Sequence, residues 1–257
     1  MAVSSILEKA LYSTLRIETT LGSGEQGAAT AFIFEYRTAD NNYPFMVTTK
    51  TPVITATEGR ITLLQAKDGQ PLAGKGYTLD IEHFKKLWYC HPDDQLDIAV
   101  TPFVPFVKHV EKAGTPVFFH ALIQDIEETR KAYEQIQLAD EIISVGFDND
   151  FWDRKTLSPV VRQGTVASLA KSDYMGKPRF LANIHVAKGA EGGPVFQRNK
   201  LADEGKQTPF LAGMLVPAPI ASNQNDQSKT VREMGTVIRI EAVIDTISAY
   251  LREKGFI

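Results

Sequence analysis

Gly189-Ala190-Glu191-Gly192-Gly193-Pro194-Val195-Phe196 sets three glycines and a proline immediately before an apolar run. Glycine reaches backbone conformations closed to other residues, and proline fixes its own φ, so the stretch reads as a tight turn feeding a strand. Such a triplet marks a turn in any protein, so its neighbours decide what it means. Strand-like runs flank it at residues 141–147, 160–169, 180–185, 193–197, 210–216 and 235–240. Six more lie at 15–19, 30–36, 45–48, 60–65, 87–89 and 98–102, with turn clusters at 38–43 and 67–74 between them. Short strands at this spacing predict antiparallel barrels or sandwiches. Between the two sets, Ile123, Ile126, Thr129, Tyr133 and Ile136 recur at three- and four-residue intervals, a helical period. Residues 241–254 show the same period, with Val243, Ile244, Ile247 and Leu251 on one face. Residues 2–14, with Ile6, Ala10 and Leu11, suit a short amphipathic helix or arm.

The expected architecture is therefore all-β, a double antiparallel β-barrel with a connector helix and a C-terminal helix. Residues 1–119 form the first barrel and its N-terminal arm, 120–140 the connector, 141–240 the second barrel and 241–257 the last helix. The polar stretches 198–208 and 221–230 are expected to be mobile loops.

Composition excludes more than it assigns. With 43% hydrophobic and 23% charged residues the chain of 257 residues is ordinary globular material. A net charge of −3 and a pI near 6.0 point to neither a nucleic-acid nor a membrane partner. The mixed charges from Glu127 to Arg130 suit a solvated helix face. The single cysteine, Cys90, allows no internal disulfide and is expected to be a buried small hydrophobe. Residues 1–20 lack the basic and apolar blocks of a signal peptide, and a cytoplasmic protein is expected. His83, His91, His109 and His120 lack ligand spacing, so neither a metal nor another cofactor is expected.

The turn at 189–196 resembles the G-x-S-G-[GS]-P-V-F turn of bacterial trypsin-like serine peptidases. Two upstream segments extend the likeness. Residues 91–102 (HPDDQLDIAVTP) resemble the segment carrying the family's triad aspartate, and residues 47–54 (VTTKTPVI) its histidine segment, V-T-N-K-H-V-V. Residues 140–153 and 157–168 resemble the opening of the family's second barrel, and Gly235–Arg239 its final strand. The order, histidine segment, acid, then nucleophile turn, is also the family's. The resemblance implies a trypsin-like double barrel in which the backbone N–H groups of Gly189 and Glu191 form the oxyanion hole.

The departures are chemical. The histidine position holds Thr51 and the nucleophile position Glu191; of the triad only Asp97 matches. A threonine hydroxyl accepts no proton near neutral pH, and a carboxylate is a poor nucleophile toward an amide. Ala29-Thr30-Ala31-Phe32 likewise stands where the family has G-T-G-F. No active catalytic residue is therefore expected at Thr51, Asp97 and Glu191. His185 and Lys188 are candidates for lining the former substrate pocket, with a packed histidine the plainer reading of His185. Thr51 is expected to donate its hydroxyl to Asp97. Glu191 is expected to turn toward Lys188, its own backbone donors or solvent. An Asp97–Glu191 pair sharing a proton is the acid–base alternative.

The function expected is that of an inactive homologue binding an unidentified protein or peptide. The rivals are an active hydrolase with a non-standard constellation and a structural subunit assembling through its helices.

Overall fold

The computed structural model describes residues 5–198, 209–219 and 230–257; the stretches 198–208 and 221–230, read above as loops, lie almost wholly outside them. Helix α1 (Ile6–Ser13) opens the described chain, with Ser5 accepting the Glu8 N–H and Glu8 returning to the Ser5 N–H. A seven-stranded antiparallel sheet follows: β1 (Thr14–Leu21), β2 (Gln26–Arg37), β3 (Asn42–Thr48), β4 (Ala56–Lys67), β5 (Gln70–Glu82), β6 (Tyr89–Cys90) and β7 (Ala99–Pro102). Its order is β5-β4-β1-β2-β3-β7-β6. Ile17 of β1, Met46 of β3, Leu79 of β5 and Ala99 of β7 meet in one core. Strands from both ends of the sheet reach a shared interior only because the sheet curls around it.

The second half is a closed barrel, β10-β13-β12-β11-β8-β9. Its strands are β8 (Glu141–Gly146), β9 (Val160–Val166), β10 (Arg179–Asn183), β11 (Pro194–Gln197), β12 (Phe210–Pro219) and β13 (Thr230–Arg239). A third cluster joins the halves. On β2, Ala31 and Ile33 face the first interior while Phe32 and Phe34 face Val145, Phe196, Met214 and Ile238 of the second half. Both faces of β2 are thus covered, and its central residues are buried without alternation.

Helix α4 (Ile126–Gln135) is the connector, and α5 (Ile240–Glu253) closes the chain. Tyr133 of α4 donates to the Ala212 carbonyl and accepts the Ile240 N–H at 3.0 Å, which ties connector, barrel and last helix together. Val243, Ile244, Ile247 and Leu251 of α5 are buried in the cluster between the halves.

Three local expectations are corrected. Of residues 67–74, only Asp68 and Gly69, both at positive φ, separate β4 from β5; the strand escaped notice because Pro71, Gly74 and Gly76 interrupt its pattern and it is half exposed. Residues 84–87 form a 3₁₀ turn, and the following strand is only Tyr89–Cys90. An unforeseen helix, α3 (Val104–Lys112), follows β7, with Pro105 in its first turn and Val110 buried in the first interior. Among the described residues no helix is long and apolar enough to cross a membrane.

Candidate functional site

The end of β3 delivers Thr51 to the first turn of a four-residue helix, α2 (Thr51–Ile54). The loop between β6 and β7 carries Asp97 beneath it. Asp97 Oδ1 accepts three hydrogen bonds, from the N–H of Lys50 (2.8 Å), the N–H of Thr51 (2.9 Å) and the Thr51 hydroxyl (3.2 Å). The carboxylate thereby satisfies donors at the start of a helical turn, which have no partner inside the turn. Lys50, itself buried, points its Nζ at the Asp93 carbonyl and Asp94 Oδ1, both at 3.3 Å. Burial pushes the Asp97 pKa above its ordinary value, against the lowering effect of these donors and of Lys50.

This conflict gives a pH test. The unfolded carboxyl ionises near 3.8, before the folded one, so the wild type loses stability as pH rises from there through the folded pKa. A carboxamide at this position keeps an oxygen acceptor for both N–H groups without the charge. Asp97→Asn is therefore expected to raise the melting temperature at about pH 7, with the gain vanishing toward about pH 4. A gain that grows on acidification would show that the donors outweigh burial.

The turn between β10 and β11 is shaped by Gly189 at φ +89° and Gly192 at φ +91°. The first barrel grips it. Thr30 donates its N–H to the Glu191 carbonyl (2.9 Å) and its hydroxyl to the Gly189 carbonyl (2.7 Å), while that hydroxyl accepts the Phe147 N–H (2.8 Å). Thr48 donates its hydroxyl to the Thr30 carbonyl at 2.7 Å. One threonine thus holds the turn against both barrels and sets it beside the strand that leads to Thr51.

Within the turn Glu191 folds back. Its Oε2 accepts the Gly189 N–H at 2.9 Å, so the carboxylate sits on one of the two N–H groups expected to form an oxyanion hole. Arg232, near the start of β13, grips the same carboxylate in a fork, Nη2 to Oε1 at 3.0 Å and Nη1 to Oε2 at 3.2 Å. Arg232 Nη1 also donates to the Val186 carbonyl (3.0 Å), and the Val186 N–H donates to the Arg232 carbonyl (2.7 Å). The guanidinium therefore bridges the segment before the turn and the turn itself. Only 18% of the Glu191 side chain is exposed.

Asp97 and Glu191 share no hydrogen bond; each carboxylate has its own donors. His185 and Lys188 are both exposed, on the segment entering the turn. Lys188 offers its carbonyl to the Asn149 N–H at 2.9 Å, and the cation on Glu191 is Arg232. Sequence reasoning missed Arg232 because the pair is 41 residues apart and the arginine lies in a polar stretch without periodicity. It also passed over Thr30 as a grip, noting only the alanines beside it. Cys90 is half-buried rather than buried, and burial pushes its thiol pKa up, away from the reactive thiolate.

No family model and no curated protein matches the chain. Solved structures do resemble it. The HtrA-type protease AlgW with tripeptide is 12% identical at a TM-score of 0.55, covering 97% of this chain and 63% of its own. The MamO protease domain from Magnetospirillum magneticum is 13% identical at 0.51, covering 93% and 98%. The catalytically active tobacco etch virus protease complexed with product is 12% identical at 0.51, covering 96% and 81%. The chain thus spans less than two thirds of the HtrA-type protein. At such identities the likeness is one of architecture, and the chain is an all-β protein of the trypsin-like double-barrel fold.

Proposed function

We propose that this chain is a proteolytically inactive trypsin-like homologue that binds a protein or peptide. The observation that carries the proposal is Glu191, whose carboxylate occupies the Gly189 N–H with Arg232 clamped upon it. In an acyl-transfer enzyme that N–H must be free to meet the developing oxyanion. Here a charged side chain is bound there already, and Thr51 brings Asp97 a hydroxyl where catalysis requires an imidazole. Loss of chemistry does not by itself remove recognition, because binding and transition-state stabilisation are separable. The assembly reading gains nothing from α5, whose apolar face is already spent on the core.

A fluorophosphonate probe, which reacts with activated serines, tests the proposal directly. The folded chain is expected to remain unlabelled. Labelling that disappears in an Asp97→Ala variant would restore the active-hydrolase reading.

A further inference from the structure

The outer face of the first barrel carries a groove distinct from the Glu191 turn. On β1, Leu15 and Ile17 point into the first interior, which leaves Arg16, Glu18 and Thr20 on the opposite face. Strand register sets Glu18 opposite Arg60, Arg60 opposite Asp80, Thr20 opposite Glu58 and Glu58 opposite Glu82. At one end, where the loop after β8 folds over this face, lies a cavity of about 180 Å³ walled by Tyr12, Leu64, Phe118, Phe147, Trp152 and Leu157. Arg16 lies over the Trp152 ring at 5.1 Å and donates to Asn149 Oδ1 at 2.9 Å, which holds that wall in place. At the other end a hollow of about 430 Å³ lies over Thr20, Glu58, Asp80 and Glu82. Glu18 and Arg60 line both, so the two hollows adjoin along one face and together form the groove.

The charges along it do not balance. Arg60 is answered by Asp80 at 2.7 Å, and Glu18 by Arg16 at 3.1 Å. Glu58 and Glu82 face each other across β4 and β5, both exposed, with no cation on either among the described residues. Like charges directly opposite in a sheet repel. A partner's cation placed between them removes that cost, and an apolar side chain fills the cavity.

We infer that this groove, resting on the reading of the chain as a binding protein, docks an extended peptide segment bearing one apolar side chain and a lysine or arginine. The cavity lies beside Arg16 and the acidic pair beside Thr20, four positions apart on β1. An extended peptide rises about 3.3 Å per residue, so its basic residue follows about four positions from the apolar one. The segment bypasses the turn, where Arg232 already spans Val186 and Glu191.

The probe is a fluorescein-labelled nonapeptide of glycine and serine with phenylalanine third and lysine seventh, read by anisotropy. Saturable binding is expected, weakened about tenfold by Glu58→Gln with Glu82→Gln and weakened further by salt. Ala73→Trp, which fills the cavity mouth from an exposed position, is expected to abolish it. Glu111→Gln on α3 with Glu127→Gln on α4 matches that change in net charge away from the groove and is expected to change nothing. Peptides with alanine for phenylalanine, or glutamate for lysine, should not bind. No saturation below about 1 mM, the weak end of specific affinity, would overturn the groove. So would affinity that survives both groove variants but falls with Arg232→Ala, which places the peptide at the turn and leaves the functional reading standing. A dimer in light scattering that Glu58→Gln with Glu82→Gln dissociates would make the occupant a second copy and overturn the peptide assignment. Peptide cleavage by the wild type would sink the functional reading without touching the groove.

Discussion

Casein and a fluorogenic peptide library are expected to be left uncut by the wild-type chain, at a rate at least about 10⁴-fold below that of an intact triad. Thr51 and Glu191 each remove a member of a unit whose parts act together, so neither loss adds simply to the other. The more demanding expectation concerns repair. Thr51→His with Glu191→Ser supplies the missing groups and frees the Gly189 N–H. It also leaves Arg232 without its carboxylate, still bound to the Val186 carbonyl beside the turn. A substrate side chain approaching the turn there meets a guanidinium no longer neutralised by Glu191. The double variant is expected to stay about 10²-fold or more below an intact enzyme, the scale of one misplaced oxyanion donor. Adding Arg232→Gly should raise kcat/KM above the double variant. Turnover by the wild type that Asp97→Ala abolishes would sink the functional proposal. Equal rates for double and triple variants would show that Arg232 does not obstruct the turn.

Gly192→Ala is expected to cost about 3–5 kcal/mol, the range of severe single substitutions. Two effects combine. At φ +91° a side chain is strained by about 1–2 kcal/mol. A Cβ there would also lie 2.2 Å from the Thr30 carbonyl oxygen and 2.9 Å from Thr48 Oγ1. The carbonyl belongs to a residue paired with β1 and already accepts the Thr48 hydroxyl, so it cannot swing away as a flexible side chain would. Gly24→Ala is the control, with φ +85° and nothing within 4 Å of the added Cβ. It carries the strain without the clash. For a chain of this size each kcal/mol moves the melting temperature by about 2–4 °C, so calorimetry separates the two variants. Equal losses would mean that the turn does not press against Thr30 and that the barrels do not meet through this contact.

Much of this fold is legible along the chain because strands and helices leave local signatures. The α5 stripe of Val243, Ile244, Ile247 and Leu251 is one, and all four are buried in the cluster between the halves. The connector helix is another, although Ile123, first in its stripe, lies outside the helix and is 44% exposed. Where the signature is weak the element is missed. β5 has glycines and a proline in a half-exposed edge strand, a pattern that reads as turn.

The substitutions at Thr51 and Glu191 and the retention of Asp97 are matters of residue identity, and a chain read in order displays them without any coordinates. Tertiary structure alone decides what those residues touch. Thr51 and Asp97 are 46 residues apart, and Glu191 and Arg232 are 41. No local period relates them, and the stretch before Arg232 is polar and irregular. Whether Glu191 would meet Lys188, solvent or another cation depended on which side chain β13 carried back to the turn. That is set by barrel closure, since β13 pairs with β10 and β12 and brings Arg232 against Val186. The opposed pair Glu58 and Glu82 arises from strand register, and the clamp on Glu191 from the register shift that takes Arg232 out of the ladder; the chain encodes both only through the packing of its two interiors.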